Sequence, residues 1–182
     1  MKYDCEKFTD LALSLGARRA CIIDVSNILF NPEFRKFCEE NACGFYGKNL
    51  MCPPDIGTVE QVISKAKSRN IGIFYETISP IKDFEDKDNI KLAGINQNVI
   101  SEKMKQELLK MGAKDVLCMS TRCKYCDRCA KLDNKNCYHP DIAVGCLSAY
   151  CVDVSDLAKK CGMDYTCKEG TLSLFGLTLF NL

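Results

Sequence analysis

The sequence predicts an α/β or α+β fold: a mixed sheet of about five strands flanked by helices, with cysteine-rich loops at one end. Three observations predict it. Stretches with helical spacing alternate with short Ile- and Val-rich runs through most of the chain. The last apolar runs read as strands. The cysteines gather in stretches with neither period. The 182 residues are read as a single domain, 1–182, carrying an N-terminal cysteine loop at 38–54 and a ferredoxin-like cluster loop at 120–140.

Taken in order, residues 6–15 place Phe8, Leu11, Ala12 and Leu15 at helical spacing, with Gly16 as the stop. Residues 18–28 read as a strand centred on 20–25, and Pro32 opens a short helix ending near Cys38. The stretch 43–54 holds Gly44, Gly47, Pro53 and Pro54 and is expected to be loop. Helical spacing returns over 55–68 through Ile56, Val59, Val62, Ile63 and Ala66, and 71–78 follows as a buried strand. A polar turn at 79–88 leads into a long helix from about Asn89 to Met111, closed by Gly112. Residues 115–119 are a short strand, and 155–161 a short helix with Ser155 as cap and Gly162 as stop. The segments 164–167 and 171–180, joined around Glu169-Gly170, read as a terminal hairpin.

Charge is nearly balanced, 25 basic against 24 acidic side chains, so nothing electrostatic calls for nucleic acid as a partner. No run approaches the roughly 18 apolar residues of a membrane span, and the opening Met1-Lys2-Tyr3-Asp4-Cys5 has no apolar secretory core. A cytoplasmic protein is expected. Fourteen cysteines then point to metal rather than disulfides, because cytosolic thiols stay reduced, and so many suit an anaerobe.

Residues 120–140 carry seven charged side chains, four cysteines and little periodicity, so the stretch cannot build its own apolar core and needs a staple. Cys123, Cys126 and Cys129 lie at two-residue gaps, with Cys137 further on and Pro140 after it. A cubane offers four iron corners, each taking one thiolate; three close cysteines wrap three corners and a distant fourth closes the cage. Zinc is the alternative, but a zinc ribbon uses two separated pairs, and the third close cysteine has no place there. A second set, Cys38, Cys43 and Cys52, lies in the Gly- and Pro-rich loop. Its fourth ligand is open: Cys137, Cys146 or Cys151, or none, leaving an iron free for substrate.

At these stretches the chain resembles domain-of-unknown-function family 2284, whose members are described as predicted metal-binding proteins. The likeness rests on Cys43-Gly44-Phe45-Tyr46-Gly47-Lys48 leading to Cys52-Pro53-Pro54, on the Cys123–Cys137 run with Pro140, on 149–154, and on Phe175-Gly176-Leu177-Thr178-Leu179. It covers nearly the whole length. The family pattern has glycine where this chain has Cys151 and no cysteine at Cys146, so the resemblance argues against those two as ligands. It implies metal binding and no particular reaction.

Among other residues, His139 reads as a bystander beside Cys137, and Lys124, Arg128 and Lys131 as charges that offset a cluster or dock an acidic partner. Tyr46 and Lys48 flank the second set, and the remaining thiols Cys5, Cys21, Cys118, Cys161 and Cys167 read as core. No P-loop, dinucleotide fingerprint or nucleophile elbow is present. The leading expectation is an electron carrier with one or two [4Fe–4S] clusters working with a redox partner protein. The alternatives are an enzyme whose three-cysteine cluster keeps an open iron, and a zinc-stapled interaction module.

Overall fold

The stretch Ile71–Pro80 is apolar on both faces, and a strand of that kind is stable only inside a sheet covered on both sides. A computed structural model, describing residues 4–182, puts it there. Five strands, β1 (Arg19–Asp24), β2 (Ile71–Pro80), β3 (Lys114–Ser120), β4 (Gly145–Cys146) and β5 (Thr171–Asn181), form one sheet in the order β1-β2-β5-β3-β4. The sheet is mixed: β3 and β4 run parallel, and the other neighbours are antiparallel. Helices α1 (Cys5–Ser14), α2 (Arg35–Glu39), α3 (Val59–Lys67), α4 (Lys87–Lys110) and α5 (Val154–Lys160) flank it.

Side chains alternate across each strand, so the two faces build separate cores. Ile71, Ile73, Tyr75 and Phe180 pack against Phe8 and Ala12 of α1 and Met104 and Leu108 of α4. Phe74, Leu117, Met119, Leu177 and Leu179 pack on the other face against Val62 and Ala66 of α3 and Leu157 and Ala158 of α5. The α4 face also carries buried polar groups, some of which bond to β2. Tyr75 and Ser101 share a hydroxyl hydrogen bond at 2.6 Å, and Thr77 donates to Gln97 at 2.6 Å.

The expected α/β or α+β class, with five strands in a mixed sheet flanked by helices, is the one observed. Three expectations are corrected. Residues 164–167 form no strand, and 171–181 is no hairpin arm: β5 inserts between β2 and β3, pairing with β2 from Thr171 to Phe180. Its leucines and phenylalanines on both faces need two covered faces, and its backbone finds ladder partners on both sides, β2 and β3. The fifth strand is instead β4, two residues long and too short to show a period. Asp153 rather than Ser155 caps α5, accepting from the Asp156 amide at 3.0 Å, and Thr58 caps α3 in a reciprocal box with Gln61.

Candidate metal centre

The first cysteine group is assembled by a helix end, one loop and an edge strand. Cys38 sits in the last turn of α2. Cys43 and Cys52 follow in the loop, where Gly44 and Gly47 adopt φ of +77° and +66°, the left-handed region in which a side chain is strained. The Gly47 amide closes this loop on the Pro53 carbonyl at 2.9 Å. Cys146 arrives from far along the chain on β4, in register with Ser120 at the end of β3. Gly145 lets it come close: a Cβ there would lie 2.6 Å from Ile56 Cδ1 and 3.2 Å from the Met51 carbonyl oxygen.

Three of these thiols are raised, and Cys43 contributes to each. Burial first, then Cys146, Cys43 and Cys151, push Cys38 up to about 11 against the opposing Arg35 guanidinium. Burial, then Cys146, Cys43 and Cys38, push Cys52 up to about 12. Burial also raises Cys146, with Cys43 adding to it, while the backbone amides of Ala149 and Ser148 pull the other way. A thiolate at Cys43 or Cys146 opposes ionisation of Cys38 and Cys52, a conflict that a bound cation relieves. Cys151 lies near Cys38 and the Arg35 guanidinium, at φ +60°, and does not figure among the groups that raise Cys52. That left-handed position is one where glycine is the ordinary residue.

The second group lies in the loop after β3. Cys123, Cys126, Cys129 and Cys137 line one small cavity together with Asn49, Leu50, Met51, Ala130 and Tyr138. Burial, then Cys123, Cys137 and Cys129, raise Cys126. The structure thus groups Cys137 with the run and Cys146 with Cys38, Cys43 and Cys52. Among the described residues, no three Cys, His, Asp or Glu side chains converge closely enough to hold a single metal ion.

A family model described as "Predicted metal-binding protein (DUF2284)" matches residues 21–180. The chain belongs to that family. No curated protein and no solved structure matches it. In this family member, three contacts join the two cysteine loops. Asn49, buried, donates to the Cys123 carbonyl at 3.4 Å. Arg122 lies 3.5 Å above the ring of Phe45, and Lys131 pairs with Asp55. The second loop is also tied to α4: Tyr125 donates to Glu102 at 3.1 Å, and Lys124 to Thr121, which bonds Asn98.

Lys124 packs so closely over Gly94 that a Cβ there would lie 2.5 Å from its Nζ. Burial, then Arg122, lower it to about 8, while Cys123 and Cys146 act in the opposite direction. Its ammonium is therefore within reach of one cysteine from each group. Arg128 pairs with Asp133 at 3.1 Å, and His139, Lys48, Cys5 and Cys167 are exposed. The expectation that all remaining thiols are core fails for those last two, which lie at a helix start and in an irregular segment.

Sequence reasoning passed over Arg35, Asn49 and Arg122. Arg35 is buried, donating to the Gly57 and Ala149 carbonyls at 3.0 Å each, which fixes α2 against the turn following Cys146. Nothing in spacing marks these residues; their partners are far away in sequence. No helix among the described residues is long and apolar enough to cross a membrane.

Proposed function

We propose that the protein holds two [4Fe–4S] clusters, one on Cys123, Cys126, Cys129 and Cys137 and one on Cys38, Cys43, Cys52 and Cys146, and works as an electron carrier. The observation that carries this reading is the division of eight cysteines into two groups of four. Four thiolates are the full complement of a cubane. Thiols gathered round a cavity, rather than drawn onto one point, suit a centre with one iron per thiolate better than a lone zinc. Bound clusters would supply one-electron chemistry. Lys124 and Arg122 would offset their negative charge, and Asn49 would hold the two loops in a fixed relation. An enzyme with an open iron needs a three-thiolate group, and Cys146 makes the first group four.

Anaerobic reconstitution should give about eight iron and eight acid-labile sulfide per chain. Cys146→Ser should remove about half of each, and Cys137→Ser the other half, with the remaining cluster still visible by electron paramagnetic resonance after reduction. A colourless protein that binds one zinc overturns the reading. Loss of the Cys38 group's cluster in Cys137→Ser, with Cys146→Ser unaffected, overturns the assignment of the fourth ligands.

A further inference from the structure

A second cavity, of about 240 Å³, lies between the middle of β3, the C-terminal end of α3, the second half of α4, and the segment 140–144 within the stretch that connects Cys137 to Cys146. Three cations border it: Lys65 and Arg69 at the end of α3 and Lys105 on α4. Among the described residues none of the three is paired with a carboxylate. They sit close enough that Arg69 and Lys105, after burial, depress the Lys65 ammonium. Such a cluster of like charge is costly unless an anion shares the space.

The second, independent observation is Tyr150. Its side chain lines the same cavity and is fully buried, yet its hydroxyl has no hydrogen-bond partner. A buried hydroxyl left unpaired costs about 1–3 kcal/mol, so an acceptor is the missing piece. Arg69 and Cys118, both on the cavity wall, are within electrostatic reach of that hydroxyl. Cys118 does not supply the acceptor: its sulfur bonds the Ser101 carbonyl and Thr178, and burial keeps the thiol protonated, up to about 11. Two carboxylates stand on the wall: Glu102 is occupied by Tyr125 and Gln106, and Asp141, exposed, meets Lys105 through its backbone carbonyl rather than its carboxylate. The lining also includes apolar side chains, among them Met51, Ile142 and Val144.

We propose that this cavity binds a small organic acid, its oxyanion held by Lys65, Arg69, Lys105 and the Tyr150 hydroxyl, and its short apolar body lying against Met51, Ile142 and Val144. The volume admits a short-chain acid with room to spare, and the apolar wall favours such a carboxylate over a bare inorganic anion. Because Met51 adjoins Cys52 and 140–144 lies between Cys137 and Cys146, the bound acid would sit against both cysteine loops.

Butyrate and inorganic phosphate, titrated separately by anaerobic calorimetry into the iron-loaded protein, test this. Butyrate should bind saturably. Tyr150→Phe and Arg69→Gln should each weaken it about tenfold, and Lys168→Gln, outside the cavity, should leave it unchanged. Melting temperature and iron content, measured on the same samples, separate lost folding or lost metal from lost binding. The proposal is overturned if neither probe binds, if Tyr150→Phe and Arg69→Gln bind as the parent does, or if phosphate binds and butyrate does not. A folded sample without iron that still binds butyrate would count against the clusters alone and would support this site.

Discussion

Cys21 on β1 and Cys161 at the end of α5 form a thiol pair apart from both cysteine groups. A hydrogen bond from Cys161 stabilises the Cys21 thiolate and holds Cys21 below the ordinary thiol range, while Cys161 is raised by the same contact. The thiolate is the nucleophile, so reactivity follows its fraction. Alkylation of Cys21 should accelerate at lower pH than for an ordinary thiol. In Cys161→Ala only burial remains, which raises the pKa, so the profile should move to higher pH. Peptide-resolved iodoacetamide labelling across pH checks this; identical profiles in parent and variant would rule out the stabilising bond. The pair was invisible in the sequence, because its members belong to elements whose packing only the fold defines. At this scale the sequence does expose Gly44 and Gly47, whose left-handed conformations are the ones a tight loop asks of glycine.

Single elements differ in how plainly their sequences announce them. Long periodic stretches such as α4, and the apolar run of β2, are legible within a residue or two. The strand β4 is not, yet it sets the position of Cys146. Its Gly145 is pressed between Ile56, Tyr150 and the Met51 carbonyl, where the nearest backbone atom cannot yield as a flexible side chain would. Gly145→Ala should therefore push β4 off the first cysteine loop at a cost of about 1–3 kcal/mol, typical of overpacking. The expected result is a lower melting temperature with the sheet retained and, on the two-cluster proposal, loss of about half the iron, from the Cys38 group. A variant with parental iron content would show that β4 does not control that group.

Across the whole molecule, stability is distributed unevenly. The two faces of the sheet are closed by α1 and α4 on one side and α3 and α5 on the other. The loop after β3 contributes only Ala130 to the buried apolar set between Ser120 and Pro140. Removing the metal should therefore open that loop first and leave the sheet standing. After oxidative stripping with a chelator, trypsin should cut at Lys124, Arg128, Lys131 or Lys135 well before it cuts at Arg19 of β1 or Lys114 of β3, with far-ultraviolet circular dichroism largely preserved. Equal protection of the stripped and loaded loop would mean that Asn49, Tyr125 and the Lys131–Asp55 pair suffice without metal.

The sequence by itself determined the class of fold, the main helices and strands, and the proximity of Cys123, Cys126 and Cys129, because each rests on short-range periodicity or on neighbours in the chain. The tertiary structure decided the rest. It placed β5 in the middle of the sheet, brought Cys146 to Cys38, Cys43 and Cys52, and left Cys137 with its own run. The family resemblance argued against Cys146, and the parallel register of β4 with β3 brings it in. Such pairings depend on which strands lie side by side, and that is set by closing two apolar faces at once, a condition no local stretch of sequence contains.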